Sequence, residues 1–270
     1  MMVRHQSPGY LGISVGWRYD MSRPMVVGAA RSGGSEVVLG GVMWMSTLVY
    51  LVGQAIAQAA WKTPYSVVDN PISDLGNTAC GQWPPASAGS QLAERLGAGS
   101  GYVCSPLHGV MNVSFVAAGV LLLLGLYFTR SQWPSRPRST WGFVFLALAG
   151  LGKIVVGLVP ENSSLLLHEL GGLGSLMSII GVLLFGLAVW QTRRRVAVFS
   201  VGLFALGLLG ILGSFAAPVL GHGHGASERV ETYPVFVWMF VLGLSLVWGN
   251  WSVVKSRAIG SIRARGVLRT

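Results

Sequence analysis

Four side chains suited to proton transfer or metal binding lie next to apolar segments of the chain. They are Asp74, His108, Glu161 and His168. Carboxyl and imidazole groups act as general acids and bases when burial or neighbouring charges move their pKa values towards neutral pH. If the fold brings these four residues together, we predict that they carry catalysis, either as acid and base or around a metal ion.

Zinc is the metal that this set of residues favours. A catalytic zinc site uses three protein ligands and leaves one position open. The candidate ligands are His108, His168 and His222. His224 is the alternative to His222, and no His-x-x-x-His or His-Glu-x-x-His pair places two ligands on one helix face. The alternative is that the histidines have structural roles and that the Gly-His-Gly-His-Gly segment is only a flexible loop.

Other polar residues near the same segment ends are candidates for binding a substrate. They are Ser73, Asn112, Lys153 and Asn162. Lys153 lies inside an apolar segment, where a charge is costly unless it is paired or faces a wet cavity. We expect Asp74 as its partner, with Glu161 and Asp69 as alternatives. In a functional role, Lys153 contacts an anion or lipid headgroup or stabilises charge in catalysis. In a structural role, it forms an ion pair or extends its side chain to the membrane interface.

The apolar segments that position these residues are long enough to cross a membrane. Hydrophobic residues make up 52% and charged residues 10% of the 270 residues, against about 25% charged residues in soluble domains. A transmembrane helix needs about 20 apolar residues. Six segments qualify, at 36–58, 109–128, 140–159, 170–190, 196–219 and 233–254. We predict an all-α fold, a polytopic membrane protein built as a bundle of six transmembrane helices over residues 36–254.

The basic residues predict how this bundle is oriented. The net charge is +10, and most of the 19 Lys and Arg residues lie before the first segment, after the sixth, or in connections on the same side. By the positive-inside rule that side is cytoplasmic. We predict a multi-pass protein of the cell membrane with both termini cytoplasmic: a disordered tail over 1–35, a basic tail over 255–270 and an extracytoplasmic loop over 59–107. Arginines that flank apolar segments argue against a nucleic-acid partner.

The long first loop contains two further features. Cys80 and Cys104 are the only cysteines, and an oxidising exterior permits the disulfide that we predict; two unrelated thiols are the alternative. Asn70 suits a helix N-cap, Pro71 the first helical position and Gly76 the stop. This order predicts one short helical turn at the membrane surface.

Small residues predict where the helices pack most closely. Glycine and serine recur at three- and four-residue spacing along the segments 170–190 and 196–219. Lipid supplies no hydrophobic drive for helix association, so such stripes are typical of helix–helix contacts. The fourth and fifth helices are therefore predicted to form the centre of the bundle.

Three elements of the chain together resemble a known family. The first is Asn70–Gly76, with the sequence Asn-Pro-Ile-Ser-Asp-Leu-Gly. The second is His108 with Asn112, and the third is Gly157–Asn162, with the sequence Gly-Leu-Val-Pro-Glu-Asn, followed by His168. In this order, the chain resembles the bacterial and archaeal multi-pass membrane proteins grouped as domain of unknown function 998. The resemblance covers all six apolar segments and implies a six-helix membrane domain, without implying an activity.

Two functions from different classes fit these residues. The first is a protein that binds or transports a lipid or small solute, or assists a complex, through a polar extracytoplasmic site. Its expected partners are membrane lipid and, as a further candidate, another membrane protein. The second is a membrane-embedded hydrolase or transferase for a lipid-linked substrate, in which a zinc-bound water or an acid–base pair acts. A sensor or proton-coupled carrier, with Lys153 and Asp74 changing protonation, is a third class.

Overall fold

Helices form most of the described structure. The structure of the protein, a computed structural model, describes residues 34–83, 101–220 and 223–267. Within these ranges, six helical spans are long and apolar enough to cross a membrane. The prediction of an all-α bundle with six transmembrane spans is confirmed.

The first and fourth spans each consist of two consecutive helices. Thr47 and Leu48 separate the two helices of the first span, and Leu173 separates those of the fourth. The helices of the described residues are α1 (Gly34–Ser46), α2 (Val49–Ala59), α3 (His108–Thr129), α4 (Pro137–Leu158), α5 (Leu165–Gly172), α6 (Gly174–Ala188), α7 (Arg194–Ala216) and α8 (Gly225–Val267). Apart from the long first loop, short connections join consecutive spans.

The start of the sixth span differs from the prediction. The sequence predicts a start at residue 233, whereas α8 begins at Gly225. The added turns contain Glu228, Arg229 and Glu231, charged residues that are typical of a loop. Their side chains contact polar groups of the bundle, so the helix begins earlier without placing these charges in lipid.

Of the two predicted tails, the structure describes mainly the C-terminal one. α8 continues to Val267, into the segment predicted as a basic tail. Of the predicted tail over 1–35, residues 1–33 lie outside the described residues.

The first loop folds back onto the bundle. A disulfide joins Cys80 and Cys104, as predicted. Next to it, the strands β1 (Gly81–Trp83) and β2 (Gly101–Val103) form an antiparallel pair in which Gly81 is opposite Val103. These covalent and backbone links join residues 80–83 to residues 101–104 within the loop.

The predicted helical turn in this loop exists, but its start is different. A 3-10 helix covers Ser73–Gly76, and Gly76 is its last residue, as predicted. Asn70 does not cap this helix, because its Oδ1 accepts the backbone N–H of Ser66 at 2.8 Å. The asparagine therefore closes the turn that precedes the 3-10 helix.

The fourth and sixth spans form the centre of the bundle. Half of the residues in the most apolar part of each are buried, compared with 28% in the fifth span. The prediction is confirmed for the fourth span and wrong for the fifth, since α7 packs mainly against its two neighbours, α6 and α8. Its small residues serve those contacts: a Cβ on Gly207 would meet Ile179 of α6, and one on Gly210 would meet the backbone of Glu231 in α8.

Backbone contact holds α4 against the fourth span. A Cβ added to Gly152 would lie 2.5 Å from the carbonyl oxygen of Gly171, and one added to Gly171 would lie 3.0 Å from that of Gly152. Only residues without a side chain allow helices to approach this closely. Lys153 directly follows Gly152, so this crossing determines where Lys153 lies in the bundle.

The variant Gly152→Ala tests this crossing. We expect it to destabilise the protein by about 1–3 kcal/mol, because the new methyl group overlaps a backbone atom that cannot rotate away. Thermal unfolding of the detergent-solubilised protein measures the effect. The matched control is Gly202→Ala in α7, where an added Cβ meets no atom within 4 Å. Equal melting temperatures for the two variants would contradict the proposed role of the crossing.

Candidate functional site

Apart from Lys153, the predicted site residues of the described chain lie at one end of the bundle, which we call the disulfide end. It contains the disulfide loop, the connection over 159–164, and the helix ends that adjoin them. Direct hydrogen bonds join its parts: the Ser105 hydroxyl donates to the carbonyl oxygen of Leu75 at 2.7 Å, and the Asn77 amide donates to Glu161 Oε1 at 2.8 Å.

Asp74 and Glu161 form a buried pair of carboxyl groups. Asp74 is 1% exposed and Glu161 is 4% exposed, and the two side chains hydrogen-bond to each other. Burial, assisted by the charge of Glu228, raises the pKa of Asp74 to about 7. Burial and the neighbouring Asp74 raise the pKa of Glu161 well above its ordinary value. The structure thus brings together two of the four residues predicted to act as acid and base.

The connection over 159–164 is attached to the disulfide loop by paired hydrogen bonds. Asn162 Oδ1 accepts the backbone N–H of Thr78 at 3.1 Å, and Asn162 Nδ2 donates to the Thr78 hydroxyl at 2.8 Å. Asn112 Nδ2 donates to the carbonyl oxygen of Gly76 at 2.9 Å. Both asparagines, predicted to bind substrate, thus contribute hydrogen bonds that position the loop. The Ser73 backbone N–H interacts with the carboxylate of Glu228, and its side chain is partly exposed.

Arg229 also lies at this end, although the sequence did not identify it as a site residue. Its guanidinium is buried and donates to the carbonyl oxygens of Val67, Asn70 and Gly225 at 2.7–3.0 Å. It also donates to the hydroxyl of Tyr65. Glu228 and Glu231 are three residues apart and flank this arginine. Residues at this spacing are neighbours on a helix surface, so the sequence contained a pattern that predicts a helix with one polar face.

Lys153 lies inside the bundle, in the part of α4 that leads to the 159–164 connection. Its Nζ is 5.5 Å from the ring centroids of Tyr50 and of Phe115. It interacts electrostatically with Glu228 and Glu231. The carboxylates that compensate the charge of Lys153 therefore come from α8. The partners predicted from the sequence were Asp74, Glu161 or Asp69 in the loops.

Tyr50 forms the aromatic wall next to this lysine. Its ring is fully buried, stacks on Phe236 at 4.5 Å between centroids, and contacts Phe115 at 5.3 Å. Its hydroxyl has no hydrogen-bond partner among the described residues. A buried hydroxyl without a partner is costly, so this position offers an unused donor close to Lys153.

The described histidines form no metal-binding cluster. His108 Nδ1 lies 2.9 Å from the carbonyl oxygen of Ser105, and His168 Nδ1 lies 2.8 Å from that of Val159. Each imidazole thus binds the backbone that precedes its own helix. Within the described ranges, no three His, Cys, Asp or Glu residues are close enough to hold a metal ion. His222 lies outside those ranges, so the zinc site stays a prediction.

The fold and this site define an integral membrane protein with a buried polar network at one end of a six-helix bundle. Sequence comparison agrees with that class. The model of a family described as protein of unknown function DUF998 matches residues 44–245, from α1 to α8, and the chain belongs to this family. Comparisons with curated proteins and with solved structures gave no match.

The variant Arg229→Met tests whether this arginine holds the loop. We expect a loss of about 2–4 kcal/mol of stability, because three carbonyl oxygens and one hydroxyl lose a charged donor in a buried position. Thermal unfolding measures the loss, and limited proteolysis within residues 60–80 reports release of the loop. Arg138→Met is the control, since Arg138 is exposed at the opposite end of α4. A loop that resists protease equally in both variants would rule out this role.

Proposed function

We propose that the protein binds a small solute or a lipid through an anionic group, with Lys153 as the positive charge that receives it. The observation that carries this proposal is the environment of the lysine ammonium. Among the described residues, none of its three N–H donors meets a hydrogen-bond acceptor; its contacts are aromatic rings and two carboxylates at longer range. A phosphate or carboxylate group would supply the missing acceptors.

Energetic considerations support a ligand at this position. Contact with an aromatic ring stabilises a cation by about 0.5–2 kcal/mol, and carboxylates that do not touch the ammonium contribute only through space. Neither replaces the hydrogen bonds that an ammonium makes in water. A charge within a transmembrane segment that lacks them is a candidate ligand contact. The ring of Tyr50, whose centroid is 5.5 Å from Lys153 Nζ, carries a hydroxyl without a partner among the described residues, which is a further donor.

A binding role has more support than metal-dependent hydrolysis. His108 and His168 each use one ring nitrogen on a backbone carbonyl, and no third ligand joins them among the residues described. Asn112 and Asn162 serve the loop. Lys153 and Tyr50 provide donors for an anionic group, and neither is a suitable nucleophile.

We also propose that the disulfide end faces the exterior of the cell and that both termini are cytoplasmic. Most arginines and lysines flank the spans at the opposite end of the bundle, as the positive-inside rule requires of the cytoplasmic side. The Cys80–Cys104 disulfide is consistent with this orientation, because disulfides persist in oxidising compartments.

The variant Lys153→Met tests the binding proposal. The probes are short-chain phosphatidylglycerol and soluble glycerol phosphate, titrated against the detergent-solubilised protein with the melting temperature as readout. We expect stabilisation of the wild type by at least one probe, and at least about tenfold weaker binding by Lys153→Met, equivalent to about 1.4 kcal/mol. A response to the lipid alone identifies a lipid ligand, and a response to both identifies the phosphate group as the shared determinant.

The control for this experiment is Lys62→Met. Lys62 is an exposed lysine of the first loop, so its loss changes the net charge equally without altering the site. The proposal is wrong if neither probe stabilises the wild type, or if Lys153→Met binds as the wild type does. A lowered melting temperature of unliganded Lys153→Met with unchanged affinity would assign Lys153 a structural role.

Topology is tested with reporters fused after Arg195 and at the C-terminus. We expect green fluorescent protein to fluoresce and alkaline phosphatase to be inactive at both positions, because each position is cytoplasmic in the proposed orientation. A fusion in the 84–100 segment is the control and should show the reverse pattern. Active phosphatase after Arg195 would refute the orientation.

A further inference from the structure

We propose that Asp74 and Glu161 form a proton-binding site, in which one proton shared between the two carboxyl groups holds the first loop against the α4–α5 connection and is released as the pH rises. This inference is independent of a ligand at Lys153. Two ionised carboxylates are acceptors only. The two buried side chains face each other, so a proton on one carboxyl group lets it donate to the other.

The surroundings of Asp74 support this assignment. Asp74 Oδ1 is buried and receives no hydrogen bond from an N–H or hydroxyl donor among the residues described. Such an orphaned acceptor in a buried position costs about 1–3 kcal/mol. A proton on the partner carboxyl supplies the missing donor.

The charged neighbours do not replace the proton. From α8, Glu228 and Arg229 face the pair, and Tyr65 faces it from the loop. Glu228 adds negative charge. Arg229 adds positive charge, but its N–H groups donate to carbonyl oxygens and to Tyr65. Since no cation of the described ranges contacts them directly, two buried ionised carboxylates would repel each other, which favours retention of one proton.

The pair responds to pH in a defined direction. The pKa of Asp74 is raised to about 7, above the value of about 3.9 for an unfolded aspartate. Between these values the folded protein binds more protons than the unfolded chain, so stability falls as the pH rises. The contribution is fully present below about pH 4 and lost through about pH 7; the raised pKa of Glu161 has the same sign.

Proton release has a structural consequence. Asp74 lies in the 3-10 helix of the first loop and Glu161 in the α4–α5 connection. These are also the two segments joined by Asn77–Glu161 and Thr78–Asn162. Repulsion between the ionised carboxylates would act directly across this contact, and the loop would separate from the connection.

The test compares melting temperatures of the full-length protein in detergent at about pH 5 and pH 8, a range that brackets the transition. We expect the wild type to melt about 5 °C lower at the higher pH. Asp74→Asn and Glu161→Gln should each show a much smaller difference, because an amide supplies a permanent N–H donor. Glu36→Gln is the control, since Glu36 is exposed in the first turn of α1, and it should behave as the wild type does.

Infrared difference spectroscopy provides a second readout that does not require the variants to be equally stable. The wild type should show the C=O band of a protonated carboxyl group at acidic pH, lost as the pH rises, and Glu161→Gln should lack it. The proposal is overturned if this band is absent from the wild type, or if both variants retain the wild-type pH dependence. It is equally overturned if calcium or magnesium, titrated at about pH 8, restores the melting temperature, since a metal ion would then occupy the pair.

Discussion

The polar end of the bundle depends on the contact between Arg229 and the backbone of the first loop. One buried guanidinium donates to three carbonyl oxygens and to Tyr65. Val67 and Asn70 belong to the first loop and Gly225 begins α8, so the arginine joins the loop to the start of that helix and satisfies backbone acceptors of both. With the loop held on α8, Asp74 is brought within reach of Glu161, and Glu228 accepts the backbone N–H of Ile72.

Inside the bundle, the structure depends on the close approach of helices. The contact of Gly152 with Gly171 brings α4 against the fourth span, and the contact of Gly210 with Glu231 brings α7 against α8. Each of these crossings adjoins a charged residue, Lys153 in one case and Glu231 in the other. Helix packing through glycine and placement of charge inside the bundle are therefore parts of one arrangement.

Much of this architecture could be predicted from the chain. Apolar segments of sufficient length identify the six spans, because a lipid environment requires every spanning segment to be apolar and helical. The isolated cysteine pair identifies the disulfide. The polar residues at the segment ends identify Asp74 and Glu161, which the structure pairs. The start of α8 was missed because Glu228, Arg229 and Glu231 resemble loop residues when their partners are unknown.

The sequence by itself determined the class of protein, the number of spans, the disulfide and the residues available for chemistry, because these follow from local composition and spacing. Only the tertiary structure decided which of those residues meet. Asn112 and Asn162 became supports of the loop, His108 and His168 each bind a backbone carbonyl, and Lys153 was placed opposite carboxylates of α8. The physical reason is that such contacts join residues far apart in the chain, and their geometry depends on helix crossings and loop folding.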